Sequence, residues 1–437
     1  MNTPFIKEYL NTLIPIFSAL FVVFILNITD SFFISTLGQE AIAGYGLAMS
    51  LMLFVVSTMS SVSQAVSVFV SKSNGAKKIN RQKVKIFIGL FINIFLSLFL
   101  IIIFYILEDK IYGLFKAQKE VLNYTKDYFS IWYMGLIFVS LNIYFQNIIN
   151  AIGKSKITAY VLTLTVFLNI ILDYILIYGL DGYFTAFGIS GAALASVISM
   201  SVGAIIYLYY LFKKGYLKYY NIKSSHSIIL KMKNLILHFL VPGWTYPLSM
   251  IVVSIAISKY NTDVLAAYAL VDSFKYILLI ISSATATTIS LLVSKFLGAK
   301  KIEEIRHTYH LSLIIMFSWS LITFLIINSY SDIIGGYYLN NKNTINIFSY
   351  IWSVFILGAI AWAYAANTGR LMLSYDKGKY ASIYLFIGNV STIIIPYIVS
   401  IFYGYKLFIW SIVLIGFFTA LMAFYFYVTK IKQSLQS

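Results

Sequence analysis

Apolar runs of about twenty residues recur along the whole chain, divided by short polar stretches. Twelve can be counted, at about 10–35, 44–71, 84–107, 127–151, 157–179, 188–212, 234–258, 264–294, 308–330, 344–373, 380–403 and 407–429. Each is long enough to carry a helix across a hydrocarbon core roughly 30 Å thick. The pattern predicts an all-α integral membrane protein. The longest inner connection, about 213–233, is rich in Lys, Ser and Tyr, and 228–237 reads as a helix lying along the membrane surface. The outer connections near 108–126 and 331–343 are polar, with Gly335 and Gly336 expected to break the second. Pro242 and Pro247 both fall in the seventh span. A proline inside a helix removes a backbone hydrogen bond, so this span is the expected broken or bending element and these prolines are hinge candidates, the bland alternative being a static kink needed for packing.

The pattern also repeats. Ala43-Gly44-Tyr45 returns as Ala266-Ala267-Tyr268, and Gly75-Ala76-Lys77-Lys78 as Gly298-Ala299-Lys300-Lys301, both at an offset of 223. Lys154 and Lys156 return as Lys377 and Lys379. One offset held over more than a hundred positions marks two homologous halves, 1–222 and 223–437, with six spans each. Six is even, so both halves start on the same membrane side. That predicts two six-helix lobes related by a pseudo-two-fold axis along the membrane normal, an architecture of secondary transporters.

Composition agrees with this picture. The chain is 60% hydrophobic and 11% charged, where a soluble domain carries about 25% charged residues. The net charge of +17 raises the question of nucleic acid, but its distribution answers it. With the N-terminus inside, 23 of the 32 Lys and Arg fall in inner connections and 7 in outer ones. This is a topology signal, with both termini cytoplasmic, and the inner basic residues suit anionic lipid rather than nucleic acid. There is no cysteine, which excludes disulfides, thiol nucleophiles and cysteine metal sites. No cleavable signal peptide is expected, because the first apolar stretch is too long and lacks a small-residue cleavage site. Abundant Lys, Ile, Asn and Tyr suggest an AT-rich prokaryotic genome, hence the inner membrane of a prokaryote.

Acids inside the spans carry the candidate chemistry. An ionised carboxylate in mid-bilayer costs at least ~2.5–3.5 kcal/mol, so it needs a reason. Asp30 lies in the first span, Asp173 in the fifth and Asp272 in the eighth. Asn169 precedes Asp173 by four residues on the same helical face, and Asn27 precedes Asp30 by three. Two helices would thus offer a carboxylate and an amide to a common interior, a donor set suited to Na+ or, through the carboxyl groups, to H+. The bland alternative is mutual hydrogen bonding. Lys275 follows Asp272 by three residues, close enough for an ion pair that is either structural or a secondary or substrate site. Arg370, six residues from Asp376, is expected to snorkel to the inner surface. His307 and His310 share a face but lack a third metal ligand. No loop-borne catalytic cluster or glycine-rich phosphate loop is present, so an enzyme is not expected, and no cofactor is implied. At the 223 offset Asp30, Asn169 and Asp173 map to Val253, Thr392 and Pro396, so the cation chemistry belongs to the first half.

Asp30-Ser31-Phe32-Phe33-Ile34-Ser35-Thr36-Leu37-Gly38, followed by Ala41-Ile42-Ala43-Gly44-Tyr45-Gly46, resembles the first-span signature of the multidrug and toxic compound extrusion (MATE) family. Asn169-Ile170-Ile171-Leu172-Asp173 and Gly188-Ile189-Ser190-Gly191-Ala192-Ala193-Leu194-Ala195-Ser196 are similar to its fifth and sixth spans, and the Gly-Ala pairs at 75–76 and 298–299 to the ends of spans 2 and 8. The resemblance covers essentially the whole chain. It implies a monomeric antiporter that exports organic cations or drug-like amphipathic compounds against Na+ or H+. In the DinF-like subgroup it implies a cation site at Asp30, Asn169, Asp173 and a span-6 hydroxyl, here Ser196 in place of the usual Thr. The segment Val241-Pro242-Gly243-Trp244-Thr245-Tyr246-Pro247 lacks the span-7 acid of other subgroups. The same fold also serves flippases of lipid-linked sugars or other amphipathic lipids, the alternative reading.

Overall fold

The computed structural model describes residues 3–113, 115, 118–180, 183, 185–217, 226–257, 259–339 and 341–432. Its helices are α1 (Thr3–Ser35), α2 (Gln39–Gly75), α3 (Ile79–Gly113), α4 (Lys119–Met134), α5 (Leu136–Ala151), α6 (Ser155–Tyr178) and α7 (Ile189–Lys213) in the first half. The second half has α8 (His226–Ile257), α9 (Thr262–Gly298), α10 (Ile302–Ser329), α11 (Ser331–Tyr338), α12 (Lys342–Ser374), α13 (Gly378–Phe402) and α14 (Tyr405–Tyr427), closed by a π-helical turn at Val428–Lys432. Eleven of the described helices are long and apolar enough to cross a membrane, and the bent pair α4–α5 makes a twelfth span. Several helices run well past their apolar runs. α2 has 37 residues, roughly 55 Å at helical rise, because polar flanks end the hydropathy signal without ending the helix.

The faces are inverted relative to a soluble protein. On α3 the exposed stripe is Phe95, Phe99, Ile102 and Ile106, while Asn93 and Ser97 are buried. Lipid is the solvent for the first face, and polar groups can be satisfied only inside.

Three expectations on the elements change. The segment 228–237 is no separate surface helix but the start of α8. Residues 218–225 of the long inner connection lie outside the described residues. Gly335 and Gly336 do not break the outer connection but sit inside the short helix α11. The broken span is the fourth, not the seventh: α4 and α5 meet at Gly135 with a bend of 59°, while α8 runs unbroken through Pro242 and Pro247. The missing N–H of Pro242 leaves the His238 carbonyl without its helical donor. Ser382 on α13 offers a shared one, its hydroxyl lying 3.0 Å from that carbonyl and 3.0 Å from the Gly378 carbonyl of its own helix. A tertiary donor thus repairs part of what the proline removes.

The repeat is visible in the backbone. Lys77 and Lys300 adopt positive φ of 54° and 60°. Across these turns the N–H of Lys78 donates to Ser73 and that of Lys301 to Phe296, each at the same offset. Gly153 and Asp376 repeat this, at φ 80° and 59°, with Lys154 donating to Ile149 and Lys377 to Met372. These are helix-ending turns of the Schellman type. The symmetry is therefore one of turn geometry as well as residue type.

The chain divides into two compact units, Ile14–Ile236 and Met1–Leu13 with Leu237–Ser437. The opening turns of α1 thus pack within the second unit. Tyr9 shares a hydrogen bond with Ser312 at 2.7 Å, Lys295 pairs with Glu8 at 2.5 Å, and Phe5 lies 6.1 Å from the Phe296 ring. The reciprocal segment, 226–236, belongs to the first unit. The crossing points, Ile14 and Leu237, stand at the repeat offset.

Candidate functional site

The first unit gathers its polar groups on a small number of close helix approaches. Gly191 on α7 faces the end of α6. A Cβ there would stand 2.4 Å from the Leu176 carbonyl oxygen, so only glycine lets the two helices meet this closely. The connection between them returns along α6, with Phe187 donating to Leu176 at 2.9 Å and Gly188 to Ile177 at 3.2 Å. This fixes α7 so that Ser196 lies beside Asn169. Gly44 on α2 does the same for α4, where a Cβ would stand 2.6 Å from the Tyr124 Cβ. One turn further on, Tyr128 meets Tyr45, ring to ring at 5.1 Å and 71°.

Asp30, Asn169 and Asp173 are all buried, at 6%, 1% and 0% exposure. The Asn169 amide has one orientation that satisfies both its ends. Its nitrogen donates to Asp30 Oδ1 at 3.1 Å, and its oxygen accepts from the backbone N–H of Ser196 at 3.1 Å. Ser196 thus holds Asn169 through its main chain, while its hydroxyl is met by the hydroxyl of Tyr128. The carboxyl groups of Asp30 and Asp173 face each other within hydrogen-bonding reach. Neither is a donor when ionised. Neither oxygen of Asp173 receives a hydrogen bond from any described residue.

Asn27 does not join the set. It is exposed on α1, because a spacing of three places it about 60° around the helix from Asp30. Two residues that are neither acid nor amide do join. Tyr45 and Tyr128, 5% and 1% exposed, both lie within electrostatic reach of Asp30 and Asp173. Tyr45 had a signal in its place beside Gly44. Tyr128 had none, since nothing local tells a buried tyrosine from the many at the lipid boundary.

In the second unit Val253, Thr392 and Pro396 are all buried at the matching positions. Thr392 turns its hydroxyl to the Gly388 carbonyl, 2.9 Å away. That unit has its own charged pair: Lys275 bonds Asp272 on α9. Arg370 is part-buried on α12, its guanidinium 5.1 Å from the Phe239 ring. Among the described residues no three or more His, Cys, Asp or Glu side chains gather as a metal would require.

Twelve apolar spans in two lobes, with two acids buried face to face in one of them, define a multi-pass membrane transporter rather than an enzyme. The chain belongs to the MatE family, whose model matches residues 15–175 and again 239–398, once in each half. It is similar to the probable multidrug resistance protein NorM of Halalkalibacterium halodurans, 24% identical over 350 residues, covering 77% of this chain and 74% of that protein. It is also similar to the FAD transporter of Shewanella oneidensis, 23% identical over 316 residues, covering 72% and 70%. Among solved structures, the Vibrio cholerae MATE transporter VcmN superposes with a TM-score of 0.90 at 18% identity, covering 99% of this chain and 98% of that one.

Proposed function

We propose that this protein is a monomeric antiporter of the cell membrane that exports organic cations or drug-like amphipathic compounds in exchange for Na+ or H+. The Asp30–Asp173 pair is its coupling site, with Asn169 and Ser196 holding the geometry, as in the DinF-like pattern. Both termini are cytoplasmic. The observation that carries the reading is the face-to-face pair in which Asp173 has no donor. Two carboxylates this close repel each other strongly away from water. One positive ion between them, Na+ or H+, removes that repulsion. The pair therefore binds a monocation in one lobe arrangement and releases it in another where the acids are separated or hydrated. Substrate must favour the second arrangement for exchange to follow. The names of the bacterial multidrug relatives support export of drug-like compounds. The lipid-flippase alternative would use cavity cations for an anionic head group. Lys275 and Arg370 are the span-borne candidates, and both are engaged, one by Asp272 and one by the Phe239 ring.

Uptake of a fluorescent organic cation into everted vesicles, under an imposed Na+ or pH gradient, tests the proposal and names the ion. Asp30→Asn and Asp173→Asn are each expected to abolish gradient-driven uptake with normal membrane expression. Full uptake in both variants sinks the coupling site. The chain's lack of cysteine allows the topology to be read with single introduced cysteines. One placed at Gly215 should react with an impermeant maleimide only from the cytoplasmic side.

A further inference from the structure

The proposed coupling site leaves the second unit's charged pair without a task. Lys275 and Asp272 bond along α9, but they are unequally open, at 10% and 38% side-chain exposure. The lysine takes one carboxylate oxygen, Oδ1, from the buried side. The carboxylate is the outer member. Three tyrosines frame it: Tyr246 from α8, and Tyr268 and Tyr276 from α9, all within electrostatic reach of Asp272. The Tyr276 ring also lies 5.7 Å from the Lys275 ammonium. Tyr246 and Tyr276 keep 42% and 49% of their surface.

An ion pair with its ammonium buried and its carboxylate outermost presents a dipole, negative end out. It attracts a cation and repels an anion. Aromatic faces beside the carboxylate add attraction for a large, weakly hydrated cation. We propose that Asp272, framed by Tyr246, Tyr268 and Tyr276, is the subsite that receives the positive group of an exported organic cation. Lys275 is its positioning residue and holds the carboxylate toward the open side. This rests on the export reading above but not on the coupling acids, which lie in the other unit. The two lobes then divide the labour, one handling the small ion and the other recognising the large one.

Equilibrium binding to the full-length purified protein in detergent tests this, with no gradient, so failure of the coupling site leaves the outcome intact. Ethidium is the cationic probe and N-phenylnaphthylamine the neutral one of comparable bulk. Asp272→Asn is expected to weaken ethidium binding about tenfold or more, while the neutral probe binds as tightly as before. The double variant Asp272→Asn with Lys275→Gln keeps a neutral hydrogen-bonded pair and should show the same selective loss, even where the single variant is unstable. Tyr246→Leu should weaken ethidium a few-fold. Wild-type affinity for ethidium in the double variant overturns the subsite. So does an equal loss for both probes, which marks a purely structural pair. A wild-type protein that binds no ethidium overturns this subsite and the export reading together.

Discussion

At the scale of single residues, each of the two acids proposed to couple has a different set of partners. Asp30 accepts a hydrogen bond from Asn169, while Asp173 accepts none from a described residue. Asp173 is therefore the acid whose charge most needs a cation, and Asn169 is the residue that aims Asp30 at it. Removing that amide leaves Asp30 without its donor, a loss of about 1–3 kcal/mol for a buried polar contact. Asn169→Leu should accordingly weaken Na+ or H+ exchange by tenfold or more in vesicle uptake. Tyr128 meets the Ser196 hydroxyl and the Tyr45 ring. Tyr128→Phe keeps the ring packing and loses one hydroxyl contact, so it should cost about 0.5–1.5 kcal/mol in thermal melting. Asp30, Asn169 and Asp173 were legible because a charge or amide in an apolar run is anomalous. Tyr128 was not, because its role depends on α4 meeting α2 at Gly44.

At the scale of elements, Gly135 and Gly358 occupy equivalent positions in the two halves, yet only the first sits at a helix break. A Cβ on Gly135 would stand 2.4 Å from Val197 Cγ1 on α7, whereas one on Gly358 would stand 3.0 Å from the Val413 Cα. Gly135→Ala should destabilise the protein by about 1–3 kcal/mol through overpacking. Adding Val197→Ala should restore most of the melting temperature, because it removes the two methyl groups in the way. Unchanged melting of the single variant would show that α7 moves aside freely. The seventh span carries two prolines and yet stays one helix. A proline announces itself in the sequence, but α8 runs on through Pro242, where the Ser382 hydroxyl lies within hydrogen-bonding distance of the freed carbonyl. At Gly135 the close neighbour is a side chain some sixty residues away in sequence, Val197.

At the scale of the whole molecule, the first helix of each half opens in the other unit. Folding thus links the two halves through their own ends, with Tyr9–Ser312 and Glu8–Lys295 fastening the start of α1. Two chains cut in the connection between α7 and α8 should therefore assemble. Co-expressed halves are expected to co-purify through a tag on either one, and deletion of the first thirteen residues should sharply reduce recovery of the partner half. Recovery unaffected by the deletion would remove the fastening role. The fold's span count, its two-fold repetition and its membrane setting were all present in the sequence. They arise from hydropathy and from duplication, which act on each segment by itself or on segments at a constant spacing. The exchange of ends, the site of the fourth-span break and the tyrosines around the acids were decided by tertiary structure alone. Each depends on which surfaces meet across long separations in the chain, and one sequence carries no local mark of such a meeting.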